Sequence, residues 1–95
     1  MTDLRKAAKG EPCEVRLPGI CNFNPETTVL AHVRMAGLTG IGQKIPDQLG
    51  AHCCMACHDE ADRRTMKMKA EEVELEFLRA VIRTQYKLIK RGLIK

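Results

Sequence analysis

"AHCCMACHDEADRR", residues 51–64, sets three cysteines and two histidines within eight positions, then runs into Asp59, Glu60, Asp62, Arg63 and Arg64. Cys54 and Cys57 have two residues between them. At that spacing both sulfurs of a turn reach one tetrahedral ion, and backbone N–H groups stabilise the thiolates. Closing such a site takes a second pair. Besides Cys53, only Cys13 and Cys21 remain of the five cysteines, and the Pro18-Gly19 turn between them can fold the segment back. A structural zinc site of Cys13, Cys21, Cys54 and Cys57 is therefore expected. Two alternatives compete with it. Cys13 and Cys21 can be small buried hydrophobes, and Cys54 with Cys57 can be a redox pair, though no βαβ pattern surrounds them. Cys53 is the spare, because adjacent residues in an extended chain point apart and do not easily share one ion.

The 95 residues amount to a single domain, 1–95, small enough to gain from a metal staple. Two Phe, one Tyr and no Trp imply an aliphatic core and argue against an aromatic platform for single-stranded nucleic acid. A net charge of +4 permits a polyanionic partner without demanding one. No apolar run reaches the length of a membrane span, and the opening MTDLRKAAKG is too polar for a secretory signal. The expectation is a cytoplasmic chain with no membrane partner, whose thiols stay reduced and favour metal over disulfides.

Residues 1–10 read as a short basic helix, with Thr2 or Asp3 as N-cap and Gly10 as its stop. Pro12, Pro18-Gly19 and Asn24-Pro25 break the next stretch, within which VRL, residues 15–17, reads as a brief strand. TTVLAHVRM, residues 27–35, is the best strand candidate. Residues 36–50 are a Gly-rich loop. A helix opens at Cys57 or His58, and a longer amphipathic helix covers 69–92, with Phe77, Leu78, Val81, Ile82, Leu88 and Ile89 as its apolar stripe. That stripe must pack on the core or on a second chain, so a homodimer through the C-terminal helix is open. Arg79, Arg83, Lys87 and Arg91 form a drifting basic stripe on the same helix. It can track phosphates, but a solvated helix that complements its own dipole is the better account.

His58 and Asp62 lie four residues apart and share one helix face. An imidazole and a carboxylate so placed can hold a divalent metal with positions left for water and phosphate, or be an ordinary surface pair. His32 lies in the predicted strand, where a lone His is more often half-buried and satisfied. The order is more telling: a strand His, a Gly-rich loop, a thiol knuckle, then a helix opening on His. VLAHVR and DQLGAHCCMACHDEADRR resemble the two halves of the HNH, or His-Me finger, nucleases. LRKAAKGEPCEVRLPGICN, PETTVLAHVRMAGLTGIGQKIPD and CCMACHDEADRR are similar, more closely still, to the small YbcO-type family of lambdoid phages and prophages.

The resemblance implies an α+β fold, a zinc-stapled ββα-metal domain with a long C-terminal helix. It implies a metal-dependent nuclease acting on DNA, with His32 as general base and His58 and Asp62 holding Mg2+ or another divalent ion. Two departures stand out. Ala31 occupies the position where many HNH nucleases carry a further ligand, and the Asn that orients the base has no obvious counterpart, Asp47 standing nearest. His52 is a candidate extra ligand, though a strand or turn residue beside the zinc site is the simpler account. Arg34, Arg63 and Arg64 are placed to meet a phosphate, guanidinium forks matching phosphate oxygens, or are exposed charges. The other function consistent with these residues is a non-catalytic zinc module that binds nucleic acid or a phage recombination partner.

Overall fold

A computed structural model of the chain describes residues 3–32 and 46–94. Asp3 starts the first helix, α1 (Leu4–Ala8), its carboxylate accepting from the N–H groups of Arg5 (3.0 Å) and Lys6 (3.2 Å). This is the N-cap geometry that satisfies otherwise orphaned donors. Gly10, at φ +77°, then turns the chain in a conformation that L side chains rarely adopt. The VRL segment is not a strand. Arg16 has a left-handed φ of +48°, which breaks the extended run, while Val15 and Leu17 on either side are buried. The backbone is turned there to serve Cys13, whose sulfur accepts the Arg16 N–H at 3.4 Å.

Pro25–Thr27 forms a single 3-10 turn capped by Asn24. Strand β1 (Val29–His32) therefore starts two residues later than TTVLAHVRM suggests, and residues 33–35 lie outside the described part. A second 3-10 turn, Asp47–Leu49, leads into β2 (Gly50–Cys53). The strands are antiparallel, in the register Val29 to Cys53, Leu30 to His52, Ala31 to Ala51 and His32 to Gly50. Gly50 is required by packing: a Cβ there would meet Leu30 Cδ1 at 2.7 Å.

Helix α2 (Met55–Ala61) begins before Cys57, because Cys54 serves as its N-cap and its sulfur accepts the Cys57 N–H at 3.4 Å. Thiols are uncommon caps, and propensity alone does not point to Cys54. The helix ends with Arg63 in the left-handed region, φ +63°. Arg64 N–H bonds to Asp59 O (2.9 Å) and Arg63 N–H to Glu60 O (3.1 Å), the paired closure of a Schellman-type end. The connection to α3 (Ala70–Lys90) is anchored by Glu60. That fully buried carboxylate accepts from Thr65 Oγ1 (2.5 Å) and Met68 N–H (2.8 Å), and these bonds hold its pKa below the usual carboxylate value.

The core gathers Val15 and Leu17 from the N-terminal loop, Ala31 and Ala51 from the strands, and Val73, Phe77, Ala80 and Val81 from α3. A smaller cluster joins Leu4, Ala8, Leu30 and Leu88. The buried side of α3 is thus Val73, Phe77, Ala80, Val81, Thr84 and Leu88. Ile82 and Ile89, expected in the packed stripe, lie on the opposite side and are exposed. The basic residues of α3 divide as well. Arg83 donates to the Glu14 carbonyl (2.7 Å), Lys87 to the Glu14 carboxylate (3.1 Å), and Arg91 pairs with Glu11. Three of the four members of the basic stripe therefore latch α3 to the N-terminal loop. No helix among the described residues is long and apolar enough to cross a membrane.

Candidate metal centre and adjoining cleft

Cys13 and Cys21 come from the N-terminal loop, Cys54 caps α2 and Cys57 lies in its first turn. The ligand atoms of these four lie within 4.8 Å of one another. The Cys54 and Cys21 sulfurs are 3.8 Å apart. A tetrahedral ion with metal–sulfur bonds of about 2.3 Å sets neighbouring sulfurs about 3.8 Å apart, so the donor set fits a metal such as zinc. Electrostatics agrees. Thiol hydrogen bonds from Cys53 and Cys57 push the Cys13 thiol far down. Burial, with the charge of Cys13 among the further causes, raises Cys21 to about 11. Gathering four thiolates this closely in a largely buried site needs a cation among them.

Cys53 stands outside this tetrad, as adjacency to Cys54 requires, yet it is no bystander. It is fully buried in the core and donates to the Cys54 carbonyl at 3.4 Å. Its thiol is pushed strongly up by hydrogen bonding to Cys13 and then Cys57.

The walls of a cleft of about 200 Å³ include His32 from β1, His58 and Asp62 from α2, and Glu74 and Leu78 from α3. His58 Nε2 and Asp62 Oδ2 are 3.3 Å apart. Two neighbouring ligands of an octahedral ion at about 2.1 Å stand about 3 Å apart, so this pair also fits a shared divalent ion. His32 Nε2 is 2.6 Å from Asp47 Oδ1, and Arg5 lies 3.6 Å from the same oxygen. The hydrogen bond to His32, helped by Arg5, holds the Asp47 carboxyl below its ordinary value.

His32, His58 and Asp62 are therefore brought together at one opening, with Asp47 behind His32. Arg63 lines the cleft as well, but its Nη1 donates to the Met68 carbonyl at 3.0 Å. Arg64 is exposed and pairs with Asp59 (3.1 Å) and Asp62 (3.7 Å). Arg34 lies outside the described residues. His52 is not at the cleft: its side chain is fully buried, with neither ring nitrogen hydrogen-bonded to a described residue. Burial, assisted by Lys87, pushes its pKa down to about 4. Glu74 gave no signal in the sequence, where it is one of several acids in the first turns of a solvated helix.

These features define a small α+β domain with a two-stranded sheet, a long C-terminal helix, a four-thiol metal-ligand cluster and a His/Asp cleft beside it. The family model described as "Putative nuclease YbcO" matches residues 2–93, and the chain belongs to that family. Two relatives carry the same description, one from Escherichia coli (strain K12) and one from Enterobacteria phage 82. Each is 53% identical over 95 residues, covering 100% of this chain and 99% of the relative. A solved structure of a bacteriophage-type protein from Escherichia coli str. K-12 substr. MG1655 superposes with a TM-score of 0.83 at 47% identity, covering 95% of this chain and 100% of that one.

Proposed function

We propose that this protein is a phage- or prophage-type, metal-dependent endonuclease that hydrolyses DNA phosphodiester bonds in the cytoplasm. It would be a ββα-metal domain of the HNH class, with structural zinc on Cys13, Cys21, Cys54 and Cys57. The observation that supports this best is the shared cleft: a strand imidazole, His32, opens onto the same space as the helix pair His58 and Asp62. A family described as a nuclease points the same way.

His32 acts as general base. Asp47 accepts the Nε2–H, which leaves the Nδ1 lone pair to take a proton from the attacking water. Asp47 thus does for His32 what an orienting Asn does elsewhere in the class, and it also stabilises the imidazolium that forms. His58 and Asp62 would hold Mg2+ or another divalent ion, which when bound would supply charge stabilisation to the scissile phosphate and the leaving oxygen. Arg64, which pairs with Asp62 of the cleft, and the remaining donors of Arg63 would meet flanking phosphates, a role that the sequence also offers Arg34. Val73 and Phe77 add apolar surface to the cleft wall, which lowers the local dielectric and strengthens ionic contacts made inside it.

One observation favours a second function, a non-catalytic zinc module that binds nucleic acid or a recombination partner. Ala31 is buried against the core and supplies no third protein ligand. Plasmid nicking in Mg2+, Mn2+ and EDTA, beside a His32→Ala variant, separates the two. The nuclease shows metal-dependent nicking that His32→Ala loses. Nucleic-acid binding with no cleavage in any metal leaves the second function standing.

A further inference from the structure

Helix α3 has two apolar faces. One packs on the core through Val73, Phe77, Ala80, Val81, Thr84 and Leu88. The other presents Leu75, Ile82, Tyr86 and Ile89, which are 49%, 66%, 62% and 52% exposed. At about 100° per residue these four fall within an arc of about 60°. Their spacing of seven, four and three residues is the heptad seam of a helix that packs against another helix.

We propose that this second face binds a second copy of the chain, α3 against α3, antiparallel about a two-fold axis passing at Ile82. The pattern is self-complementary about that residue. Leu75 lies seven residues before Ile82 and Ile89 seven after it. In an antiparallel pair Ile82 therefore meets Ile82 of the other copy, and Leu75 meets Ile89. A parallel pair would match the apolar rows equally well, so charge decides the orientation. The acids of α3 all lie in 71–76 and its bases in 79–90. Head-to-head pairing would bring acid onto acid along the seam, whereas head-to-tail pairing brings acid onto base.

One pair is specific. Glu72 and Lys90 project from the same flank of the seam, ten residues before Ile82 and eight after it. Antiparallel packing sets them within about 3 Å of the same height along the axis, as a pair repeated twice by the symmetry. Lys90 already lies over the Tyr86 ring, 5.0 Å from its centroid, which orders its ammonium beside the seam. Arg83 and Lys87 are excluded from this role, since they are committed to Glu14 within the chain. The contact is a single helix pair about 30 Å long, small enough for a dissociation constant on the order of micromolar. The proposal is independent of the nuclease assignment.

Sedimentation of the full, zinc-loaded chain across a concentration series tests it. Wild type moves from monomer to dimer as concentration rises through the micromolar range. Ile82→Asp puts two like charges on the axis and raises the dissociation constant by on the order of tenfold or more, with zinc content and helicity unchanged because the residue is exposed. Lys90→Glu weakens the dimer, and Glu72→Lys added to it restores association. Cross-linking fixes the orientation, with wild type as the control for its native thiols. Ile82→Cys cross-links to itself, whereas Leu75→Cys cross-links only to Ile89→Cys, in mixtures of the two variants. A wild-type monomer well above micromolar concentration overturns the proposal, as does an Ile82→Asp variant that dimerises normally. Self-cross-linking of Leu75→Cys overturns the antiparallel register.

Discussion

Asp47→Ala is the perturbation that most directly probes the proposed base. Asp47 makes one contact with the cleft, a 2.6 Å bond to His32, and its side chain is 37% exposed. Hydrogen bonds to charged groups contribute roughly 1.5–3 kcal/mol, and solvent screening at this exposure argues for the lower part of that range. The expected loss is about 1.5–2 kcal/mol of transition-state stabilisation, or roughly 10–30-fold in the cleavage rate. Melting at neutral pH should change little, because an exposed side chain leaves neither a cavity nor a buried orphan behind. Single-turnover nicking of supercoiled plasmid at saturating metal measures the effect, with His32→Ala setting the floor at roughly 10²–10⁴-fold below wild type. If Asp47 acts through His32, the double variant is no slower than His32→Ala alone, since residues that work as a unit are non-additive. Cleavage by Asp47→Ala at the wild-type rate would refute the reasoning. So would a double variant whose loss equals the product of the two single losses.

The division between the two centres gives a second test. Cys57→Ala should lose bound zinc and cooperative unfolding, whereas His58→Ala should retain both and lose cleavage, with zinc content and melting followed on the same preparations. On α3, Leu88→Ala should cost about 2–5 kcal/mol, because Leu88 is 1% exposed, while Ile82→Ala in the monomer should stay within about 0.5 kcal/mol; denaturant titration compares them. Acid stability follows from His52, whose pKa falls from 6.5 to about 4 on burial. Below pH 6.5 the unfolded chain binds a proton that the folded chain refuses. Stability should therefore fall from pH 6.5 toward 4, by ~3 kcal/mol at most from this residue. A His52→Met variant, melted across that range, should show the shallower decline.

The parts of this fold that local rules govern were legible in the chain. Asp3 before LRKAA, Asn24 before Pro25, and the span of α3 each follow from capping, breakers and periodicity, signals carried within one or two turns. The thiol tetrad was legible because the CxxC knuckle leaves so few partners. What stayed hidden depends on where distant segments meet. Val15 and Leu17 look like strand residues, but the left-handed Arg16 between them is set by the need to aim an N–H at Cys13. Glu60, one of the acids in the charged run after the knuckle, is a fully buried anchor, because Thr65 and Met68 fold back onto it across a connection whose shape no local pattern reports.

Helix α3 makes the same point about function. Its apolar residues read as one broad stripe, and a single stripe implies a single packed face. In the structure the stripe divides into two rows on opposite sides of the helix. The β2 strand and the thiol cluster cover one row and leave Ile82 and Ile89 on the other. Hydrophobic periodicity states how many apolar residues a helix carries on each side, not how many sides the rest of the chain can cover. Among the described residues, the two-stranded sheet and the N-terminal loop cover one row and leave the other exposed. A helix this long is over-provided for its own core, and the surplus row is available to another molecule. The cleft wall at Glu74 and Leu78 lies directly beside that row. Whatever occupies the outer face of α3 therefore borders the site where His32, His58 and Asp62 meet.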